Sequence, residues 1–359
     1  MTEKILIINP FGIGDVLFST PLVSALKRSY HGCYIAYICN SRTKDMLETN
    51  PDVAETFVFE RDEYRALWNK KKIECIKKFF NFWQRIRRKR FDRVFDLSLG
   101  KEYAFLCWMV GIKERRGFDY RGRGRFLTHR IPFYGFNDKP VAEYYMDLVS
   151  DKGQAICDKG TVLLPTDDDK AHIRDFLKKS GIKTEDVLIG VAPGGGYSFG
   201  AGNIERRRWG AERFSQLADR IVEKFNARII LIWGPVEKDL VEKIAGLMNE
   251  KPLIAPKTSI REMAALCKRC RMVICSEGGP LHVAASQGVK TLSIFGAVDE
   301  KVYGPYPPGR DNLVIASDVE CRPCYKRFKL PKCDKRICLE GVSVNTVFNA
   351  VTKYLSEGL

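Results

Sequence analysis

Met272–Pro305 reads MVICSEGGPLHVAASQGVKTLSIFGAVDEKVYGP, and its order of strand, glycine turn, helix and strand sets the fold class of the chain. Met272–Cys275 and Thr291–Phe295 are apolar runs of strand length, whereas Pro280–Gln287 carries Leu281, Ala284 and Ala285 at helical spacing. Between the first strand and the helix stand Ser276, Glu277, Gly278 and Gly279, with Pro280 in the first turn, where its missing N–H is harmless. Adjacent glycines let the main chain approach a ligand closely, and the amides and dipole of a helix start attract a negative group. The stretch predicts a phosphate-sized socket. A tight turn with no ligand is the plainer reading, because such turns recur throughout α/β proteins.

The same grammar runs outward in both directions. Strand-like runs at Val187–Ala192, Arg228–Trp233, Met272, Thr291 and Leu313 alternate with helical segments such as Ala211–Phe225, and Ile5–Ile8 opens a similar alternation near the start. Repeated βαβ units imply parallel sheets covered on both faces. The 359 residues are enough for two such domains. The acidic link TDDDK at 166–170 sets the boundary, with a first domain over 1–165, a second over 166–340, and a last helix over 341–359. In that helix Val344, Val347, Phe348, Val351 and Leu355 lie at helical spacing behind Ser343 as N-cap.

Composition narrows the classes. The longest apolar run, Tyr103–Ile112, is short of the roughly 20 residues that cross a bilayer. No tripartite leader precedes the first strand, so the expectation is a cytoplasmic protein. A formal charge of +16 asks for an acidic partner: a phosphorylated substrate, an anionic membrane face or nucleic acid. No nucleic-acid module surrounds the basic residues, so nucleic acid is not expected.

The basic residues fall in two places. Arg65–Arg93 carries Ile73, Ile76, Phe79, Phe80 and Trp83 at helical spacing, and five of the six residues Arg85–Arg90 are basic. This reads either as a core-packing helix with a solvated face or as a helix attracted to anionic headgroups or a phosphorylated acceptor. Arg115, Arg116, Arg121, Arg123 and Arg125 sit among glycines in an expected loop, suited to gripping phosphates bidentately.

Candidate site residues cluster at strand ends. After Ile5–Ile8, the run Asn9-Pro10-Phe11-Gly12-Ile13-Gly14-Asp15 presents Asp15 where open α/β sheets place active sites, with a plain helix cap as the alternative. A dinucleotide site is not expected: Leu17 stands where the third glycine of the fingerprint belongs, and Asn40 replaces the ribose-binding acid. Pro21 predicts a helix that starts late or is disturbed there. Gly194-Gly195-Gly196 followed by Arg206-Arg207-Arg208 forms a second anion-binding element.

Taken together, FGIGDVLFSTPL at Phe11–Leu22, APGGG with RRRWGAERFSQLA across Ala192–Ala218, SEGGPLHVAASQGV at Ser276–Val289 and IFGAVDEKVYGP at Ile294–Pro305 resemble the lipopolysaccharide heptosyltransferases, glycosyltransferase family 9. The resemblance covers nearly the whole chain. It implies the GT-B fold: two Rossmann-like, doubly wound domains facing a cleft, the acceptor on the first domain and the nucleotide sugar on the second, with the final helix crossing back onto the first. It implies an inverting transfer of heptose from ADP-heptose to the inner core of lipopolysaccharide, with Asp15 as general base. By the same resemblance the donor diphosphate lies against Gly194, Gly195, Gly196, Arg207, Gly278, Gly279 and the motif histidine His282. Glu237 is offered to ribose hydroxyls. Glu277 stands where the family commonly has aspartate, and Arg207 where it usually has lysine. Acceptor contacts fall to Gly12, Gly14, Arg121 and Arg123. No cofactor is implied for catalysis. The partners are the donor, a lipid-anchored acidic oligosaccharide and the inner membrane surface, so the expected place is peripheral at its cytoplasmic face. The same family with another donor or acceptor, or a non-catalytic relative that keeps the cleft, are the competing expectations.

The tail carries Cys321, Cys324, Cys333 and Cys338 within eighteen residues. Four thiols so close in a reduced compartment suggest a structural zinc or iron knot, with a cysteine-rich loop as the alternative. The other eight cysteines are scattered through apparent strands and helices as small hydrophobes.

Overall fold

The computed structural model describes residues 2–149, 160–196 and 207–356. They divide into two compact units, Met1–Phe136 with Val141–Val162, and Asn137–Pro140 with Leu163–Leu359. The division thus falls after Val162 rather than after Pro165, and a short excursion at 137–140 belongs to the second unit.

In the first unit β1 (Lys4–Ile8), β2 (Tyr34–Cys39), β3 (Glu55–Val58), β4 (Arg93–Asp96), β5 (Glu114–Tyr120) and β6 (His129–Phe133) form one sheet in the order β3-β2-β1-β4-β5-β6. In the second, β7 (Leu188–Ala192), β8 (Arg228–Leu231), β9 (Leu253–Ile254), β10 (Met272–Ser276), β11 (Lys290–Phe295) and β12 (Asn312–Ala316) follow the order β12-β11-β10-β7-β8-β9. Every pairing is parallel. The central strands, KILII and MVICS, are buried on both faces and so read as continuous apolar runs. In each unit the strand order reverses once, between β1 and β4 and between β7 and β10. The crevice above such a reversal is where open α/β sheets take ligands.

The helix after β1 runs unbroken from Ile13 to Ser29 through Pro21, against the expectation of a late or disturbed start. Proline leaves the carbonyl four residues back without its usual donor. Here Thr20 Oγ1 donates to the Leu17 carbonyl at 2.7 Å and also accepts from the Val162 N–H at 2.8 Å. Thr20→Val keeps the shape of this buried side chain and strands both partners. It is expected to lower stability by about 1–3 kcal/mol in urea denaturation.

The helix Lys72–Lys89 divides its apolar residues between two surroundings. Phe79, Phe82, Trp83 and Ile86 pack with Phe57, Phe59 and Tyr103 in the core of the first unit, while Ile73, Ile76 and Phe80 face outward. The basic loop expected around Arg115 is partly strand. Arg115 and Arg116 lie in β5, and buried Arg116 bonds Glu114 and the Leu148 carbonyl.

The last helix, Val344–Ser356, packs on the core of the second unit. Val347, Val351, Tyr354 and Leu355 join Trp209, Phe214 and Ile221 of the second unit's core. Trp209 Nε1 donates to the Val342 carbonyl at 2.8 Å, so the segment leading into the helix is tied to the same unit. Its apolar stripe matches the stripe left open on Ala211–Phe225, which explains where it docks.

Candidate active site

At the reversal between β7 and β10 two turns meet back to back. The turn after β7 carries Gly194–Gly196, and the turn after β10 carries Glu277–Gly279. A Cβ on Gly278, whose φ is +146°, would sit 1.9 Å from the Gly195 carbonyl oxygen, and one on Gly195 would sit 2.6 Å from that of Glu277. The two main chains approach so closely that each of these positions admits only glycine. Ser276 Oγ seals the contact by donating to the Pro193 carbonyl at 2.8 Å. From this junction the helix Gly279–Ser286 starts, with Pro280 in its first turn as the sequence predicts.

Glu237, expected at the ribose, is held by the main chain of the two turns beside it. Its two carboxylate oxygens accept from the Gly196 N–H at 2.7 Å and the Gly234 N–H at 2.8 Å, and the side chain is 2% exposed. It shapes the glycine turn, and Gly194 is glycine because a Cβ there would lie 2.0 Å from the carboxylate carbon of Glu237.

Arg207 is likewise committed inside the protein. Its Nε donates to Glu277 Oε1 at 2.8 Å and an Nη to the Glu277 carbonyl at 3.1 Å, with both residues buried. The planar fork thus holds the side chain and main chain of one residue, a grip that lysine does not reproduce. Glu277 Oε2 is buried and has no hydrogen-bond partner among the described residues. A buried acceptor left open at a ligand crevice is a place for a donor group of a bound molecule. His282, on the next helical turn, is buried too. Burial, and then the charge of Arg207, hold its pKa down at about 4, so the imidazole is neutral at physiological pH. Arg206 and the stretch 197–205 before it lie outside the described residues.

The corresponding reversal in the first unit holds Asp15. Gly12 is the N-cap in ordinary extended backbone and Gly14 already lies within the helix, so the run Asn9–Asp15 ends in a helix start. Asp15 closes it: Oδ2 accepts from the Gly12 N–H at 3.3 Å, and Asn9 Nδ2 donates to the Asp15 carbonyl at 3.0 Å. The cap and the candidate base are therefore one side chain. Burial raises its pKa to about 6, partly offset by the Gly12 N–H. Such a carboxylate remains charged at neutral pH and is more basic than usual, the property a proton acceptor needs.

Sequence reasoning missed Asp96. It ends β4 directly opposite Ile8, is buried, accepts from the Ser98 N–H at 2.9 Å, and burial raises its pKa to about 6. The signal was available as an acid closing the buried run Val94-Phe95-Asp96. Only the strand order reveals that β4 borders β1.

Arg121 and Arg123 follow β5, two strands from β1 on the same carboxyl edge. Both are exposed and lie over the Tyr120 ring at 5.0 and 5.8 Å.

In the cysteine tail, as elsewhere among the described residues, no group of three or more His, Cys, Asp or Glu is placed to hold a metal ion. Cys321 is exposed, Cys324 and Cys333 are half-buried, and Cys338 packs into the core of the second unit beside Leu339. Arg322 organises the tail instead, donating to the carbonyls of Gly296, Ser317 and Val298 and pairing with Glu300. Cys33, Cys39, Cys75, Cys107, Cys267, Cys270 and Cys275 are buried, as small hydrophobes should be.

Residues 79–333 match the model of glycosyltransferase family 9 (heptosyltransferase). The chain is 24% identical over 302 residues to lipopolysaccharide heptosyltransferase 3 of Escherichia coli, covering 82% of this chain and 83% of that one. Among solved structures, the glycosyl transferase family 9 protein of Veillonella parvula superposes with a TM-score of 0.81 at 22% identity, covering 99% of this chain and 98% of that one. The ADP-heptose lps heptosyltransferase II of Escherichia coli gives 0.77 at 20% identity, covering 99% of each. Two parallel doubly wound sheets of six strands each are the GT-B fold of these structures. With the family model spanning well over half of its length, the chain belongs to glycosyltransferase family 9, the heptosyltransferase family.

Proposed function

We propose that the chain transfers heptose from ADP-heptose, with inversion, to the inner core of lipopolysaccharide at the cytoplasmic face of the inner membrane. The observation that carries the donor assignment is the open, buried Glu277 Oε2 beside the glycine junction at the β7/β10 reversal. In this reading the donor lies on the second unit. Its diphosphate meets the amides and positive dipole end of the helix Gly279–Ser286, with neutral His282 one turn along. Arg207 and Glu237 act through the main chain, holding the two turns in shape. Charge developing on the leaving diphosphate falls on fixed amides.

The acceptor belongs to the first unit, where Arg121 and Arg123 offer exposed charge to its phosphates. Asp15 takes the proton from an acceptor hydroxyl as its oxygen attacks the anomeric carbon and the bond to the diphosphate breaks. ADP departs, and the configuration at that carbon inverts. Asp96, on the neighbouring strand end, is a second carboxylate for acceptor hydroxyls. Membership of the family and the ADP-heptose named for one of its structural neighbours support this reading.

Calorimetric titration with ADP, with NAD as control, tests it. The parent chain is expected to bind ADP saturably and NAD not at all. Gly278→Ala, which drives a Cβ into the Gly195 carbonyl, is expected to weaken ADP binding at least about tenfold. Binding of a different nucleoside diphosphate in place of ADP would remove the heptose assignment, and no nucleotide binding would remove the donor site.

A further inference from the structure

We propose that the paired helices Arg61–Lys70 and Lys72–Lys89 form a bilayer-docking surface that seats Trp68, Ile73, Ile76 and Phe80 in the headgroup region of an anionic membrane. The inference deepens the reading of a lipid-borne acceptor by naming the surface that would meet the lipid.

Ile73, Ile76 and Phe80 follow the i, i+3, i+7 spacing of one helix stripe, which borders the face that packs on the core. They are 74%, 55% and 64% exposed, and Trp68 on the preceding helix is 47% exposed. Lys72 Nζ lies over the Trp68 ring at 5.9 Å, which ties the tryptophan to the start of the second helix. A single exposed leucine or isoleucine needs no explanation, but a patch of four large apolar side chains does.

Charge selects the occupant. Residues 61–90 hold twelve Lys and Arg against three Asp and Glu, a net charge of +9 out of +16 for the whole chain. The three acids are each matched locally, Asp62 with Arg65, Glu63 with Lys78 and Glu74 with Lys71. Lys77, Arg87 and Arg88 flank the apolar stripe and are exposed. Two copies meeting through this face would bring like charges together. Nucleic acid would satisfy the charge and leave the isoleucines and phenylalanine in water. An anionic lipid interface takes both, with the apolar residues sinking to the acyl boundary and the basic residues bound to headgroup phosphates. No described helix is long and apolar enough to cross a membrane, so the surface would lie in the interface plane.

Sedimentation of the full chain with vesicles tests the proposal. Binding to phosphatidylcholine vesicles containing phosphatidylglycerol is expected, with little binding to phosphatidylcholine alone. Ile73→Ser with Phe80→Ser is expected to lower the vesicle affinity about 10- to 100-fold, with ADP binding and circular dichroism unchanged because both side chains point to solvent. Trp68→Phe should remove a blue shift in tryptophan emission that vesicles induce in the parent. Unchanged vesicle binding by the double serine variant overturns the proposal. So does a dimer of the parent that the same variant dissolves, since the patch would then be an interface between copies. Vesicle binding needs neither nucleotide nor acceptor: a chain that docks but binds no ADP keeps this surface and loses the transferase reading. One that binds ADP but ignores vesicles does the reverse.

Discussion

Asp15→Asn is expected to lower kcat about 10²- to 10⁴-fold, the usual contribution of a positioned general base, with KM for the nucleotide sugar little changed. Asparagine is close in shape and its side-chain oxygen still accepts from the Gly12 N–H, so the helix start survives. What disappears is the basic oxygen. The pH profile separates this from a structural defect. Burial raises Asp15 to about 6, so kcat/KM of the parent should fall as pH drops through that value, the carboxylate being lost to protonation. The residual activity of Asp15→Asn should lack that limb. Asp96 is also raised to about 6, and Asp96→Asn is the control: if the acid limb belongs to Asp15, it persists in this variant. Stability moves the other way. A carboxyl whose folded pKa lies above its unfolded one binds its proton more tightly in the native state. On account of these two groups alone, resistance to unfolding rises as pH falls from about 6 toward 4. Activity and stability should therefore part company over that window. An acid limb that tracked unfolding would count against Asp15 as the base.

Arg207→Ala should produce the largest loss of stability. It leaves Glu277 buried with no opposing charge, and breaking one side of a buried pair typically costs about 3–5 kcal/mol. Denaturant unfolding followed through the second unit would read that loss. Glu277→Gln in the same chain removes the stranded charge and should recover a large part of it, so the double-mutant cycle shows strong coupling. Alanine also removes the positive charge near His282, whose pKa should then rise from about 4, while burial continues to hold it below the ordinary value. If Arg207→Ala lost ADP binding but no stability, the guanidinium would be a direct ligand of the diphosphate rather than the support of the turn.

The sequence by itself determined the fold class, because burial on both faces of a parallel sheet leaves continuous apolar runs that need no partner to be recognised. The turn that ends β10 is legible as well. Gly278 and Gly279 ahead of Pro280 predict a close-approach turn and a helix start, and the close approach of Gly278 to the Gly195 carbonyl is the physical reason for the glycine. Asp15 was legible from its place after the first strand.

The tertiary structure alone decided the partners. Arg207 reads along the chain as part of a basic cluster after a glycine-rich turn. Only folding puts Glu277, seventy residues later, within 2.8 Å of it. The Glu237 carboxylate accepts from two main-chain amides, of Gly196 and Gly234, that no local pattern announces. Asp96 was passed over because strand order is a long-range property, and adjacency of β4 to β1 cannot be seen along the chain. The surroundings of the tail cysteines are likewise set by folding, which leaves Cys321 exposed and packs Cys338 into the core of the second unit. The helix Lys72–Lys89 shows the division most plainly. Its periodicity gives the helix, but which of its two apolar faces is covered depends on the sheet it meets, and that leaves Ile73, Ile76 and Phe80 in the open.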